Sequence, residues 1–182
     1  GKTVTSKPGH GHQEGSCPAT NTVDGNPSTY WDAGSCKLEE SETYPEMVVD
    51  LAEVYELSAV NVVNYWEAGS RYYQYEIQTS VDGTTYTSLV KKETTTPATR
   101  AGGGYRVGVE SPVCARFVKL IGTHNSANNA FHLNELRVFG TAHTHSGGTA
   151  TCTAAPVCAV CGLSYGSAKG HTTEKTAAKD AT

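Results

Sequence analysis

The chain has 182 residues, 37% of them hydrophobic and 18% charged, and a formal net charge of -4 at pH 7. No basic patch stands out, which argues against nucleic acid as a partner, and no apolar run approaches the roughly 18 residues of a membrane-spanning helix. No signal peptide opens the sequence, so we expect a fragment of a longer protein. The length suits one ordinary domain with a small addition.

Strand-like runs follow one another between Glu46 and Gly140, separated by turn residues. In the first run, Met47, Val49 and Leu51 share one face, because side chains two residues apart point the same way in a strand. The runs are Glu46–Ala52, Ala59–Trp66, Tyr72–Ser80, Val81–Val90, Gly104–Glu110, Ala115–Thr123 and Glu135–Gly140. With no helix longer than a turn or two, they predict an antiparallel sandwich or barrel.

Two details sharpen this prediction. The Asp82-Gly83 pair predicts a hairpin turn, because glycine adopts the positive φ that such turns require. Tyr73 and Tyr75 lie two residues apart, so we expect both on the buried face of their strand rather than at a ligand.

The stretch NTVDGNPSTYW, Asn21–Trp31, crowds oxygen donors and turn formers ahead of two aromatic residues. Asx and Ser-Thr turns account for many such clusters without any ligand. A hard cation is the alternative, because Ca²⁺ takes about six to eight oxygen ligands. Asp24 offers a carboxylate and Thr29 a hydroxyl, while Asn21, Asn26 and Thr29 offer backbone carbonyls. A second carboxylate has to come from elsewhere in the chain.

The strand pattern stops near Gly140, where a polar, glycine- and threonine-rich connector begins. We expect four segments along the chain. These are an N-terminal arm or linker over residues 1–14, a β-sandwich over 15–140, a small Cys/His-rich module over 141–172, and a linker or disordered tail over 173–182.

Five segments follow one another in order: TVDGNPSTYW, YPEMVVDLAEVYELSAVNVV, YQYEIQTSVDGTTY, ARFVKLIG and FHLNELRVFG. This succession resembles the F5/8 type C (discoidin) family, which overlaps carbohydrate-binding module family 32 (CBM32). The resemblance spans roughly residues 15–140 and implies an all-β fold, an eight-stranded antiparallel jelly-roll β-sandwich. It also implies a structural calcium ion held by the Asp24-Gly25-Asn26 loop and by Glu135 near the last strand.

In this family, sugars bind at loops on one end of the sandwich. Many galactose-binding members carry a His directly after the Trp of the first loop, and an Arg and an Asn before the YEI strand. Here Asp32 follows Trp31, and the loop NYWEAGSRYYQYEI lacks that pattern. The resemblance therefore implies a glycan-binding surface without implying a preference for galactose.

A sugar ring presents an apolar face and a rim of hydroxyls, which suit an exposed aromatic ring and nearby polar groups. Trp66 is the candidate aromatic residue, with Glu67 and Arg71 as polar partners and Tyr72 as a second platform. Further candidates for hydrogen bonds to the ligand are Asp32, Asn128 and Asn129.

Plainer roles remain open for the same residues. Trp66 can pack at a strand end, Glu67 and Arg71 can form a surface ion pair of small energy, and Asp32 can be an ordinary loop residue.

The last three cysteines fall in a C-x5-C-x2-C pattern, with His171 following. Three thiolates and an imidazole suit tetrahedral zinc, and VCAVCG resembles one half of a zinc-knuckle turn. A segment with almost no apolar core needs such a staple. The expected zinc ligands are Cys152, Cys158, Cys161 and His171. A disulfide among the cysteines is the alternative, and His143 and His145 are rival imidazoles.

The other three cysteines differ in setting. Cys17 and Cys36 bracket the Asn21–Trp31 stretch, where a disulfide between them is one reading and two free thiols the other. Cys114 opens a strand-like run and is expected to be a lone buried thiol.

These observations lead to a functional hypothesis. We expect a noncatalytic carbohydrate-binding module of a secreted or cell-surface bacterial protein, monomeric within a multidomain parent, that targets host mucin or plant polysaccharide. The alternatives are a discoidin-like module that binds a protein or membrane surface, and a structural spacer without a ligand. No GxSxG, HExxH or P-loop motif indicates an enzyme, although the parent protein can be one.

Overall fold

A computed structural model of the chain describes residues 2–13, 15–40, 43–66, 71–99 and 103–171. The chain divides into two compact units, Gly1–His143 and Thr144–Thr182. Glu67 and the tail over 173–182 lie outside the described residues, so the expectations for them stay predictions.

The first unit is built from strands, as the sequence indicates. They are β1 (Thr3–Lys7), β2 (Trp31–Ser35), β3 (Glu46–Asn64), β4 (Tyr73–Ser80), β5 (Thr87–Lys92), β6 (Tyr105–Asn125) and β7 (Ala130–Ala142). Neighbours along the sheet follow the order β2-β7-β3-β6-β4-β5, β1 pairs with β3, and every pairing is antiparallel. The expected all-β antiparallel class is therefore confirmed.

Two of the strands are longer than expected. The runs Glu46–Ala52 and Ala59–Trp66 were predicted as two strands, and the structure joins them in the 19-residue β3. The register of β3 against β6 shifts between Asp50 and Tyr55, where Ala52 adopts a φ of +72°. The chain therefore bends without leaving the sheet. The predicted runs Gly104–Glu110 and Ala115–Thr123 are likewise joined, in the 21-residue strand β6.

Two strands were not predicted. Residues 1–14 were expected to form an arm or linker, but Thr3–Lys7 pair with Glu46–Asp50 of β3. Only Val4 among them packs against the core, so β1 joins the sheet through its backbone and has no apolar alternation to reveal it. In β2, Asp32 pairs with His132 of β7.

Helix is scarce in the described residues, which include a 3-10 turn at Ala19–Val23. None of the described helical structure has the length and hydropathy needed to cross a bilayer.

The core of the first unit is aromatic and aliphatic. Its largest fully buried side chains include Trp31, Tyr73, Tyr75, Phe131 and Met47. The predicted burial of Met47, Val49 and Leu51 on one face of β3, and of both tyrosines of β4, is confirmed.

The predicted hairpin at Asp82-Gly83 is also present, as β4 and β5 pair around it. Gly83 has a φ of +77°. The Asp82 carboxylate accepts hydrogen bonds from the backbone N–H groups of Thr85 and Thr84, and these bonds lower its pKa.

The second unit has a different construction. In the part of it that the structure describes, the strand-like pairing is one isolated antiparallel bridge, between Val157 and Ser164. Among its described residues, 144–171, Cys158 alone is buried. Residues 144–171 therefore contain no apolar core like the one that stabilises the first unit.

Candidate functional site

The candidate site of the first unit lies where β3 ends and β4 begins. Asn64, the last residue of β3, pairs with Leu133 of β7, and Tyr73, the first residue of β4, pairs with Asn125 of β6. Trp66 follows β3 and is 36% exposed, which leaves part of its indole available to a ligand. Glu67, the expected neighbour of Trp66 in the site, is not among the described residues.

Arg71 is held by aromatic side chains on the other side of this loop. Its guanidinium carbon lies 5.3 Å from the centroid of the Tyr65 ring, and its Nη1 donates to the Tyr73 hydroxyl at 3.4 Å. The Arg71 Nε is buried and has no hydrogen-bond partner among the described residues. The arrangement fixes the guanidinium and leaves one donor unused by the described part of the chain.

Three rings form an aromatic cluster beside Arg71. The Tyr30 and Tyr65 ring centroids are 5.1 Å apart, and His132 lies 5.6 Å from Tyr30 and 5.8 Å from Tyr65. Tilted and edge-on contacts of this kind are favourable for aromatic rings. The cluster brings together three segments that are distant in sequence.

A chain of polar contacts runs through His132. Arg71 donates to the Tyr73 hydroxyl, and that hydroxyl lies 3.2 Å from His132 Nδ1. The Tyr73 O–H can then donate to Nδ1, which places the imidazole proton on Nε2, 3.8 Å from Asp32 Oδ1. Burial lowers the pKa of His132, with Arg71 adding to that effect and Asp32 opposing it. The ring is therefore neutral at neutral pH.

Asp32 is less available than a loop residue would be. It lies within β2, its side chain is 15% exposed, and its Oδ1 accepts a hydrogen bond from Gly34 N. The structure thus brings Asp32 together with His132, and, through Tyr73, with Arg71.

The remaining sugar candidates have partners within the protein. The Tyr72 ring stacks on His124 with centroids 5.3 Å apart. Asn128 Oδ1 accepts hydrogen bonds from Asn125 and Ala130, and Asn129 Nδ2 donates to Glu40. These contacts stabilise the β6–β7 loop and do not place Asn128 or Asn129 in the Tyr30–Tyr65–His132 cluster.

Sequence reasoning missed Tyr30, Tyr65 and His132. One signal was present for His132: it stands between the apolar residues Phe131 and Leu133, and successive side chains of a strand face opposite ways. The pairing of Asp32 with His132 depends on the register between β2 and β7, and neither strand's own pattern contains that information.

The stretch that suggested a cation forms a compact loop around Asp24. Asp24 Oδ1 accepts from Asn26 N at 2.7 Å, and Asp24 Oδ2 lies 2.7 Å from the Thr29 hydroxyl. Gly25 has a φ of +78°, a conformation that favours glycine. The Asn26 carbonyl accepts from Thr29 N, and the Asn21 side chain donates to Tyr30 O.

Glu135 meets this loop from β7. It is 3% exposed, its Oε1 has no hydrogen-bond partner among the described residues, and its Oε2 lies 3.7 Å from Arg137 Nε. Burial raises its pKa, and a hydrogen bond with Asp24 raises it further. Two neighbouring carboxyl groups with one unsatisfied buried oxygen fit a cation, which would supply the missing positive charge.

A second cluster of metal-binding groups lies within the second unit. Ligand atoms of His145, Cys158 and Cys161 lie within 4.8 Å of one another, and Cys161 Sγ is 3.3 Å from His145 Nδ1. The chain thus contains a His/Cys cluster that could hold a metal ion.

This cluster differs from the expected ligand set. Cys152 and His171 are both exposed and do not belong to it. The physical reason is local pairing. Gly170 N donates to Cys152 O, so these two segments lie beside each other, whereas Ala159 N donates to Ser146 O and places His145 beside the Cys158–Cys161 turn.

His143 and Cys114 lie in the first unit. His143 Nδ1 is 2.8 Å from Glu56 Oε1 and 3.7 Å from Cys114 Sγ. Cys114 is therefore partly buried beside a polar partner and is not an isolated core thiol.

No disulfide forms among the six cysteines, all of which lie in the described part of the chain. Cys17 O accepts from Asp32 N, whereas Cys36 Sγ donates to Asn129 O. The two cysteines therefore have different hydrogen-bond partners, and neither is bonded to the other. The cysteine pairing considered from the sequence is thus absent.

Solved structures with a similar fold include carbohydrate-binding modules. The chain resembles the CBM32 of AlyQ in complex with 4,5-unsaturated mannuronic acid, with a TM-score of 0.61, 23% identity, and coverage of 75% of this chain and 93% of that one. It resembles a family 32 CBM of NanJ from C. perfringens in complex with galactose, with a TM-score of 0.56, 20% identity, and coverage of 75% and 92%. These neighbours confirm the predicted jelly-roll-like fold.

A third neighbour is an enzyme, the family 89 glycoside hydrolase of Clostridium perfringens. The match has a TM-score of 0.65 and 25% identity, and it covers 85% of this chain but 16% of the enzyme. No curated protein matches the chain. Residues 2–136, well over half of the sequence, match the F5/8 type C domain, and the chain therefore belongs to the F5/8 type C domain family.

Proposed function

We propose that the first unit is a noncatalytic carbohydrate-binding module of a secreted or cell-surface bacterial protein. The observation that carries the proposal is the combination of a partly exposed Trp66 with the guanidinium of Arg71 beside the Tyr30–Tyr65–His132 cluster. Aromatic faces suit the apolar side of a sugar ring, and fixed polar groups suit its hydroxyls. Solved neighbours with this fold hold galactose and 4,5-unsaturated mannuronic acid, and another binds pectin.

Host mucin and plant polysaccharide are the proposed targets. Arg71 also suits acidic sugars, because a guanidinium pairs with a carboxylate through two hydrogen bonds. A single module of this kind binds weakly, so we infer that a multidomain parent supplies avidity through further modules. The chemistry of that parent, including any glycan-active enzyme, lies outside these residues.

A glycan array that includes neutral, amino and uronic sugars tests this function, with wild type, Trp66→Ala and Phe139→Ala compared side by side. Phe139 is a matched control, since it is an exposed aromatic residue (37%) seven positions from His132 along β7, or about 23 Å. We expect selective binding that falls at least about tenfold in Trp66→Ala and is unchanged in Phe139→Ala.

Other outcomes of the array are informative. Binding that survives Trp66→Ala and is lost in Arg71→Ala would keep the function and move its centre to the aromatic cluster. No binding of a folded, calcium-loaded protein to any glycan would contradict the proposal and favour a protein- or membrane-binding module or a spacer.

We also propose a structural calcium ion in the loop of the first unit. Asp24, Thr29 and Glu135 supply side-chain oxygens, and Asn21, Asn26 and Thr29 supply carbonyls. Support comes from the unsatisfied Glu135 Oε1 beside the Asp24 carboxylate. The ion would neutralise the two carboxylates and tie the loop to β7. Calorimetric titration with calcium should show one site in wild type and a much weaker one in Glu135→Gln.

The second unit is proposed to bind zinc. Its thiols and imidazole bind zinc in preference to calcium or magnesium. Metal analysis of protein purified under reducing conditions tests this.

A further inference from the structure

The turn Val157–Gly162 presents two thiols on the same side of a tight backbone loop. Cys158 N donates to Leu163 O at 2.8 Å, and Gly162 N donates to Cys158 O at 3.0 Å. Gly162 has a φ of +74°, which the reversal after Cys161 requires. Cys158 is 2% exposed. The backbone of this turn therefore places both sulfur atoms on one side, where a single ion could contact them.

The segment carrying His145 is pinned against this turn by close backbone approach. Ala159 N donates to Ser146 O at 3.0 Å. Gly148 has a φ of +67°, and a Cβ at this position would overlap the carbonyl oxygen of Val157. Only glycine allows the two segments to approach this closely. This approach places the His145 imidazole beside the Cys158 and Cys161 thiols.

Tyr165 sets the orientation of the His145 ring. The two rings stack with centroids 5.4 Å apart and an interplanar angle of 18°. The Tyr165 hydroxyl donates to Gly147 O at 2.5 Å, which fixes the phenol in turn. The imidazole is thus held by stacking on one face and directed at Cys161 through Nδ1.

The distances suit tetrahedral zinc. Zn–S and Zn–N bonds of about 2.3 and 2.1 Å place a sulfur and a nitrogen ligand about 3.6 Å apart in a tetrahedron. Cys161 Sγ and His145 Nδ1 are 3.3 Å apart, and the three ligand atoms lie within 4.8 Å of one another. A shift of a few tenths of an ångström in the Cys161–His145 pair matches the tetrahedral separation, and the third ligand atom lies close enough to reach the same ion.

The described residues of this unit bury very little apolar surface. Cys158 alone is buried among residues 144–171, and its sulfur is one of the clustered metal-binding groups. Small domains that bury so little apolar surface need a disulfide or metal, and the cysteines here form no disulfide.

From these observations, and resting on the zinc binding proposed above, we infer that His145, Cys158 and Cys161 are zinc ligands and that this ion folds the second unit. The three side chains occupy three of the four tetrahedral positions, and water or one further side chain completes the set. Cys152 and His171 are structural neighbours of each other outside the site.

The test uses the full chain, reduced and stripped of metal, titrated with Co²⁺ and then Zn²⁺. Co²⁺ reports thiolate ligation through its charge-transfer absorption. We expect one metal per chain, and a loss of affinity of at least about tenfold in His145→Ala, Cys158→Ser and Cys161→Ser. Cys152→Ser and His171→Ala, the matched controls, should bind within about twofold of wild type.

Hydrogen exchange measures the folding role in the same samples. The amides of Cys158, Ala159 and Gly162 should lose protection when zinc is chelated, while the amides of β3 keep theirs. Protection that persists without metal would overturn the folding role.

Tyr165 supplies a further check on geometry. Tyr165→Leu should weaken zinc binding by about tenfold, and Tyr165→Phe, which keeps the stacked ring, should restore most of it. Equal loss in both variants would contradict the orienting role.

Failure of the ligand assignment is distinguishable from failure of zinc binding. Normal affinity in His145→Ala together with loss in Cys152→Ser and His171→Ala would overturn the assignment and leave zinc binding intact. A reduced wild-type protein that binds neither ion would overturn both.

Discussion

The two units of this chain differ in how much apolar surface their described residues bury. In the first, Trp31, Phe131 and Leu133 are fully buried in a sheet of seven strands. In the second, a bridge of one residue pair and a few backbone hydrogen bonds surround one buried cysteine. Burial of apolar surface supplies the folding energy of the sandwich, whereas the proposed zinc ion would supply that of the small unit. The same chain should therefore respond to cavities in one region and to chelators in the other.

The largest expected effect comes from a cavity in the sandwich. Trp31→Ala removes a fully buried indole and should lower the free energy of unfolding of the first unit by about 4 kcal/mol. Urea denaturation followed by far-UV circular dichroism measures it. Trp66→Ala, which truncates the exposed tryptophan, should cost less than about 1 kcal/mol.

Zinc affinity provides the contrast in the same variant. A Trp31→Ala protein that unfolds at lower urea yet binds zinc normally would support separate stabilisation, and a parallel loss of zinc affinity would contradict it.

The next effect concerns the backbone of the second unit. Gly148→Ala adds a Cβ that overlaps the Val157 carbonyl and should weaken zinc binding by about tenfold, or about 1.4 kcal/mol. Gly166→Ala is a matched control, because Gly166 also has a positive φ (+66°) but open space around it. Co²⁺ titration should show a clearly larger loss for Gly148→Ala; equal losses would mean that backbone strain, and not close approach, is responsible.

Calcium should reverse the sign of the effect that the Glu135 carboxylate has on the stability of the first unit. Burial raises its pKa, so without calcium the folded state favours the protonated form. Stability is then highest below the unfolded pKa of about 4.3 and falls as pH rises through the folded value. In chelator at neutral pH, Glu135→Gln should be more stable than wild type by about 1 kcal/mol, and in excess calcium it should be less stable.

Thermal denaturation of both proteins from pH 4 to pH 8, with and without calcium, measures this reversal. The control is Asp50→Asn, which removes a carboxylate whose pKa is lowered by its hydrogen bond to Arg116 and whose effect should not depend on calcium. A Glu135→Gln variant with the same effect in both conditions would argue against the ion.

The smallest effect tests the bend of β3. Ala52 has a φ of +72°, which disfavours any side chain with a Cβ. Ala52→Gly should stabilise the first unit by about 0.5 kcal/mol, the relief of strain minus the added freedom of the unfolded chain. Ala142→Gly, in an exposed strand position without positive φ, should destabilise by a similar amount. Denaturant midpoints compare the two, and destabilisation by Ala52→Gly would contradict the strain.

The sequence predicted which side of a strand is buried better than it predicted where each strand begins and ends. Alternation identified the buried sides of β3 and β4, because burial follows period two directly. It divided β3 at the bend because nothing local shows that Ala52 keeps the strand going through a left-handed conformation. It missed β1, which joins the sheet through backbone bonds with few apolar side chains.

The candidate sites show the same limit. Trp66 and Arg71 were visible as residue types within one loop. His132 could not be identified in the same way. It belongs to the candidate site because it pairs with Asp32, and that register depends on the whole sheet. His145 replaced His171 among the second unit's clustered groups because Gly147 and Gly148 fold the chain back onto the cysteine turn, a close approach that spacing alone does not contain.

The bend in β3 also lies close to both ends of the first unit. Thr3 pairs with Asp50 and Ala142 pairs with Tyr55, so both ends of the domain leave beside the bend. Asn64, next to the candidate glycan surface, is nine residues further along β3, or about 30 Å away if the strand is extended. A ligand at the proposed glycan surface would therefore lie well away from the two points at which the chain enters and leaves the first unit.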